Sequence, residues 1–192
     1  MGVKVQIGDS PDRSNPVMNL AVSLLLFGFL VLVQCCDPKP GAVNLARDGK
    51  ASQSSDYSFR VMGYADQAID GRAESNYHKG SCTHTNNDYE PWWHLDLEQN
   101  HKISTIIITN RGDCWAKRLL GAEVRIGNSP DRNNPVCGHV TDVSQPRISM
   151  CCNGMEGRYV SVLIPGRAEY LTLCELEVYG AEEVDGEHHV CW

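Results

Sequence analysis

The chain has 192 residues, with 24 Asp and Glu against 17 Lys and Arg, and this length suits one good core with a small appendage. It contains no run of five basic residues, which argues against nucleic acid as its partner. Nine cysteines without a paired CxxC arrangement point to disulfides in an oxidising compartment rather than to zinc.

Residues 1–17 include GVKVQIGDSPDRSNPV, which matches GAEVRIGNSPDRNNPV at residues 121–136 in eleven of sixteen positions without a gap. A lone copy of one strand and turn has no partners to pack against. It reads as a duplicated fragment of a neighbouring module or as an incorrect start, with Met18 the initiator. From Met18 the chain reads MNLAVSLLLFGFLVLVQCC. The apolar part, about fifteen residues, has the length of a signal-peptide core and falls short of the roughly twenty that a bilayer span needs. Residues 18–36 are therefore expected to be a signal peptide, with a signal anchor as the alternative, and no membrane insertion is expected after its removal.

Residues 37–43 open on DPKPG and read as a linker. Beyond it, Trp93 to Leu97 (WHLDL), Ala122 to Ile126 (AEVRI) and Leu171 to Tyr179 (LTLCELEVY) alternate apolar and polar, as half-buried strands do. Ile103 to Thr109 (ISTIIIT) and Arg158 to Ile164 (RYVSVLI) read as more fully buried strands. IDGRAESN, GNSPDRNNP and NGMEG mark loops. No segment past the signal has a helical period, so an all-β antiparallel sandwich is predicted. Residues 181–192 read as a polar, loose tail.

The chemistry concentrates after the strand Ile103 to Thr109, where Asn110 to Arg118 read NRGDCWAKR. A sandwich gathers its loops at two ends, so His84 can meet Arg111, Asp113 and Arg118 there. Asp113 between two arginines can fix one guanidinium and leave the remaining donors facing outward. Such a patch grips vicinal hydroxyls, because each hydroxyl oxygen accepts two hydrogen bonds and donates one. Trp115, Tyr77 and Phe59 could cover the apolar face or methyl of a sugar. Arg111-Gly112-Asp113 is also the integrin tripeptide, a short motif common by chance. Trp92 and Trp93 open a strand and read as core, and His188 and His189 as solvated. The sequence has no GxSxG, no HExxH and no triad-like arrangement, so no enzyme is predicted. A discoidin-like adhesion module, binding protein or lipid through exposed apolar loops, is the competing reading.

His84, 26 intervening residues, then Arg111-x-Asp113-x4-Arg118 resembles the sugar-binding signature of F-type lectins, the fucolectins of fish. QAIDGRAESNYHKGSCTHTNNDYEPWWHLDL, ITNRGDC, GAEVRIGN, GRYVSV and YLTLCELEV extend the resemblance over residues 44–180. It implies a discoidin-like, galactose-binding-domain-like jelly roll that is non-enzymatic, secreted and reads L-fucose on glycans, with a role in innate immunity. By the resemblance His84, Arg111 and Arg118 are hydroxyl donors, Asp113 orients the arginines, and the fucose methyl lies near Phe59, Tyr77 and His78. Members often carry two adjacent cysteines against the sugar, whereas this chain has Cys114 then Trp115, and Trp115 either stacks on the ring or turns inward. The family's structural Ca²⁺ would be held by Asp70 and Glu175 carboxylates, by Ser81, and by carbonyls of Gln67, Arg72 and Cys174. Disulfides are implied between Cys82 and Cys174 and between Cys137 and Cys151, leaving Cys114, Cys152 and Cys191, of which Cys191 is the candidate for a free or intermolecular thiol. Weak single sites imply that avidity on fucosylated glycans needs several sites per particle, through a homo-oligomer or tandem modules.

Overall fold

A computed structural model describes residues 37–58 and 61–181. The duplicated fragment, the signal segment, Phe59, Cys191 and the tail beyond residue 181 lie outside the described residues. The strands are β1 (Lys50–Gln53), β2 (Asp88–Tyr89), β3 (Trp92–Asn110), β4 (Glu123–Gly127), β5 (Val136–His139), β6 (Arg147–Leu163), β7 (Ala168–Glu169) and β8 (Leu173–Gly180). Every pairing is antiparallel, and no α-helix occurs among the described residues.

Two long strands organise the sandwich. The first part of β3 pairs with β1, Lys50 opposite Asp96, and its last part pairs with β8, Thr109 opposite Glu175. β6 follows β3 throughout, Arg147 opposite Thr109 at one end and Leu163 opposite Trp92 at the other, and β4 lies on the far side of its last residues. Register breaks between Asp96 and His101 and between Ile103 and Thr105 let both strands bend from one layer into the other. The order β1-β3-β6-β4-β5 joins chain neighbours only at β4 and β5, so the other connections cross over, as in a jelly roll.

Alternation along the strands turns Trp93, Leu95, Val124, Ile126, Val160 and Val162 inward against Ile106, Ile108, Leu176 and Val178, all fully or almost fully buried in one core. Each such side chain contributes about 1.5–3 kcal/mol by leaving water.

Three expectations are corrected. NGMEG is not a loop, for it lies within β6, where Asn153 (φ 51°) and Gly154 (φ 73°) form a bulge opposite the break after Ile103. The two segments read as separate strands, Trp93 to Leu97 and Ile103 to Thr109, are one strand. The disulfide runs from Cys137 to Cys152, not to Cys151, so Cys152 is not left over. Neighbouring strand residues face opposite sides of a sheet. Cys152 is the one turned into the core against which Cys137 packs, and Cys151 is itself disulfide-bonded. The expected Cys82–Cys174 bond is present and ties the segment before His84 to β8.

Candidate functional site

Residues 83–85 run beside 171–173 and are held on both edges. Thr83 and Thr85 donate their N–H groups to the Leu173 and Leu171 carbonyls at 2.7 and 3.0 Å, and their hydroxyls accept from the Leu173 and Leu171 N–H groups. His84 turns the other way, donating its N–H to the Gly63 carbonyl and accepting from Tyr57 N–H, each at 2.9 Å. A Cβ on Gly63 would lie 2.6 Å from the His84 Cβ, so only glycine allows this approach. Gly63→Ala is expected to push His84 out of place at a cost of about 1–3 kcal/mol, read as a lower melting temperature with displaced imidazole NMR resonances.

The imidazole is buried, and its Nδ1 lies 2.7 Å from the Thr85 carbonyl. A carbonyl only accepts, so Nδ1 carries the hydrogen, and in the neutral ring Nε2 is a bare acceptor. Burial first, then the Arg111 and Arg118 charges, lowers the His84 pKa below its ordinary 6.5, which keeps the ring neutral at pH 7. In this tautomer the free ring nitrogen is an acceptor, whereas the resemblance implies a donor at this position.

Arg111 leaves the end of β3, where the Asn110 side chain accepts its N–H at 2.8 Å and donates to the Ala116 carbonyl at 3.0 Å, closing the loop. Arg111 donates through Nε and Nη2 to Asp113, the shorter contact 2.8 Å, and its guanidinium lies 4.5 Å from the Tyr77 ring centre. Burial alone would raise the Asp113 pKa. The Arg111 guanidinium and the Tyr77 N–H, 3.0 Å away, outweigh it and hold the carboxyl well below the usual range. Arg111 and Asp113 thus satisfy each other, and Gly112 donates to the Ser75 carbonyl. The tripeptide is thus engaged with itself and with Ser75 within the domain.

Asp113 does not orient both arginines. Arg118 sits on the turn Ala116–Leu119 with its Nε 3.5 Å from Glu169, and its guanidinium lies between the rings of Trp115, at 4.8 Å, and Tyr170, at 4.6 Å. Trp115 is 64% exposed in a left-handed conformation, so it stands outward and has not turned into the core. Tyr77 is buried, its hydroxyl donating to the Val61 carbonyl at 2.7 Å.

These groups meet. A cavity of about 320 Å³ is lined by His84, Arg111, Arg118, Trp115, Tyr77 and His78 together with Tyr57, Val61 and Tyr170. Sequence reading missed the last three and Glu169, because no spacing in the chain ties them to the His and Arg positions.

A second cluster joins residues 67–81 to β8. Glu175 is buried on β8 and accepts the Gly71 N–H at 3.0 and 3.1 Å, while Asp70 accepts Arg72 N–H at 2.8 Å. Burial, then the Asp70 charge, raises the Glu175 pKa to about 7. Gln67 donates to the Gly80 carbonyl, yet its Oε1 and the Ser81 Oγ are buried without a hydrogen-bond partner. Uncompensated oxygens and two adjacent carboxylates suit a hard cation with oxygen ligands. Among the described residues no group of three His, Cys, Asp or Glu side chains gathers, so such an ion would depend on carbonyls as well. Cys114 is the free cysteine among the described residues, and burial, then Asp113, raises its pKa.

Residues 67–162 match the family profile described as NedA-like, galactose-binding domain. The chain is 43% identical over 139 residues to fucolectin-6 of Anguilla japonica, covering 70% of this chain and 74% of that protein. It is 45% identical over 151 residues to the pentraxin fusion protein of Xenopus laevis, covering 76% of this chain and 36% of that protein. Among solved structures, the fucolectin from striped bass (Morone saxatilis) serum is 48% identical with a TM-score of 0.68, covering 74% of this chain and 49% of that one. The chain thus spans about half the length of the bass lectin and about a third of the fusion protein.

Proposed function

This chain belongs to the fucolectin family of F-type lectins, sugar-binding proteins rather than enzymes, and from that membership we propose that it binds terminal L-fucose on glycans. The observation that carries this reading is the convergence of His84, Arg111 and Arg118 on one cavity walled by aromatic rings. His84 Nε2 accepts a hydrogen bond from one sugar hydroxyl. Arg111 Nη1 and the Arg118 Nη groups, which Asp113 and Glu169 leave uncommitted, donate to the oxygens of that hydroxyl and its vicinal neighbour. Bonds to charged groups contribute about 1.5–3 kcal/mol each where water is excluded. Tyr57 and Val61 form the apolar side that suits a deoxysugar methyl, and the exposed Trp115 ring covers one face of the pyranose.

Asp70, Glu175, Ser81 and the carbonyls of Gln67, Arg72 and Cys174 hold Ca²⁺ in this reading, supported by the orphaned Ser81 hydroxyl and the paired buried carboxylates. When bound, the ion neutralises those carboxylates and stiffens the segment leading to His84. Addition of EDTA to calcium-loaded protein is expected to lower the melting temperature and weaken fucose binding together; a melting curve indifferent to chelator and calcium would remove the ion from this account. The protein is secreted, as the serum origin of the bass relative suggests, and acts in innate recognition through homo-oligomers that raise avidity.

Retention of the chain on immobilised L-fucose, with elution by free fucose, tests the reading; passage of folded protein straight through the column would refute it. Acidity supplies a second check. His84 has a depressed pKa, so the folded protein resists its protonation below 6.5 while the unfolded chain takes up the proton there. The stability this contributes is complete above 6.5 and declines as pH falls below it. Fucose affinity should hold through pH 6.5 and drop only at lower pH, where Nε2 gains a proton and ceases to accept. A midpoint at or above 6.5 would contradict a neutral acceptor.

A further inference from the structure

A second cavity, of about 270 Å³, opens beside Trp92 at the start of β3 and is also lined by Arg132, Asn133, Asp131 and Glu90. Arg132 belongs to the loop between β4 and β5, which is braced from within. Ser129 N–H and Asn133 N–H donate to Asn134 Oδ1 and Asp131 Oδ1 at 3.0 and 2.9 Å, and Asn134 donates back to the Ser129 carbonyl at 2.8 Å. Within this frame Arg132 takes a left-handed φ of 69°, rare for a side chain of its size. Its guanidinium lies 4.1 Å from the Trp92 ring centre, without a hydrogen bond or ion pair among the described residues.

We propose that this cavity is a second saccharide site, which takes one neutral hexopyranose residue. The chemistry of the lining selects the class. Arg132 offers up to five N–H donors on an aromatic base, and Asn133 offers both a donor and an acceptor. One oxygen of Glu90 accepts the Gly166 N–H at 2.8 Å and the other faces no partner among the described residues. Arg125, also in the lining, is neutralised by Glu123 at 2.6 Å. Hydroxyls, which donate and accept at once, match this mixture. A carboxylate or sulfate would meet the Glu90 and Asp131 charges. Glu90 N–H donates to the Arg167 carbonyl at 2.9 Å, and Arg167 Nη2 donates to the Arg118 carbonyl at 2.9 Å, so the β2–β7 ribbon connects this site to the first without sharing its lining residues.

The test uses the full chain with nitrogen-labelled tryptophan and arginine, titrated with methyl β-D-galactoside, methyl α-D-mannoside and inorganic sulfate. At least one hexoside is expected to give a saturable shift of the Trp92 indole and Arg132 Nε–H signals, and that shift persists in Arg118→Ala. Arg132→Gly keeps the left-handed backbone, so it retains the melting temperature and fucose binding of the first cavity while the hexoside shift is lost. The proposal is overturned by silence with both hexosides, by a response to sulfate alone, by survival of the Trp92 shift in Arg132→Gly, or by its disappearance in Arg118→Ala. Because Arg118→Ala disables the first cavity, failure of the fucose reading and failure of this one are separately visible.

Discussion

Arg118→Ala is expected to lose all retention on immobilised fucose while keeping the wild-type melting temperature within a degree or two. The guanidinium is gripped by aromatic rings on two sides and by Glu169 at its Nε, so its remaining N–H groups are aimed before any ligand arrives. Removing two charge-assisted donors at about 1.5–3 kcal/mol each weakens a weak site by more than a hundredfold. The fold is spared because the structural role of this position belongs to its backbone, whose carbonyl accepts from Arg167. Arg118→Lys should remain defective, since an ammonium cannot reproduce a planar fork. Arg111→Ala differs in kind: it strands Asp113, so it should lower stability as well as binding. Wild-type retention by Arg118→Ala would sink the proposed site, whatever the other variants did.

The second large effect is on stability. Cys82 and Cys174 are 92 residues apart, and opening that link by Cys82→Ser with Cys174→Ser releases loop entropy in the unfolded chain of about 4–5 kcal/mol. For a domain of this size that corresponds to a fall of roughly 10–20 °C in melting temperature. Binding should weaken further than Tm alone suggests, because the bond anchors the segment two residues before His84, leaving the Thr83 and Thr85 hydrogen bonds to hold it. Differential scanning calorimetry with fucose titration reads both. A double variant that melts with the wild type would show that β8 and the threonines suffice without the bond.

The buried strands were legible because each has a one-dimensional signature. ISTIIIT and RYVSVLI are apolar runs of strand length, and WHLDL alternates, so the local sequence carries the period directly. The bend of β3 and the bulge in β6 were not legible. Asn and Gly favour a loop and a bulge by the same tolerance of positive φ, and only the partner strand distinguishes them. The choice between Cys151 and Cys152 failed for a related reason, since it depends on which face of β6 meets Cys137.

By itself, the sequence determined the fold class, the family signature His84, Arg111, Asp113 and Arg118, and the acidic, cysteine-rich character of the chain. These are properties of residue type and spacing, which need no neighbours to be read. The tertiary structure alone decided that Asp113 serves Arg111 while Glu169 and Tyr170 serve Arg118, that the Thr85 carbonyl holds the hydrogen on His84 Nδ1, and that Trp115 faces outward. Hydrogen-bond direction and burial depend on groups brought together from residues 57 to 170, and no spacing along a chain encodes which of them will meet.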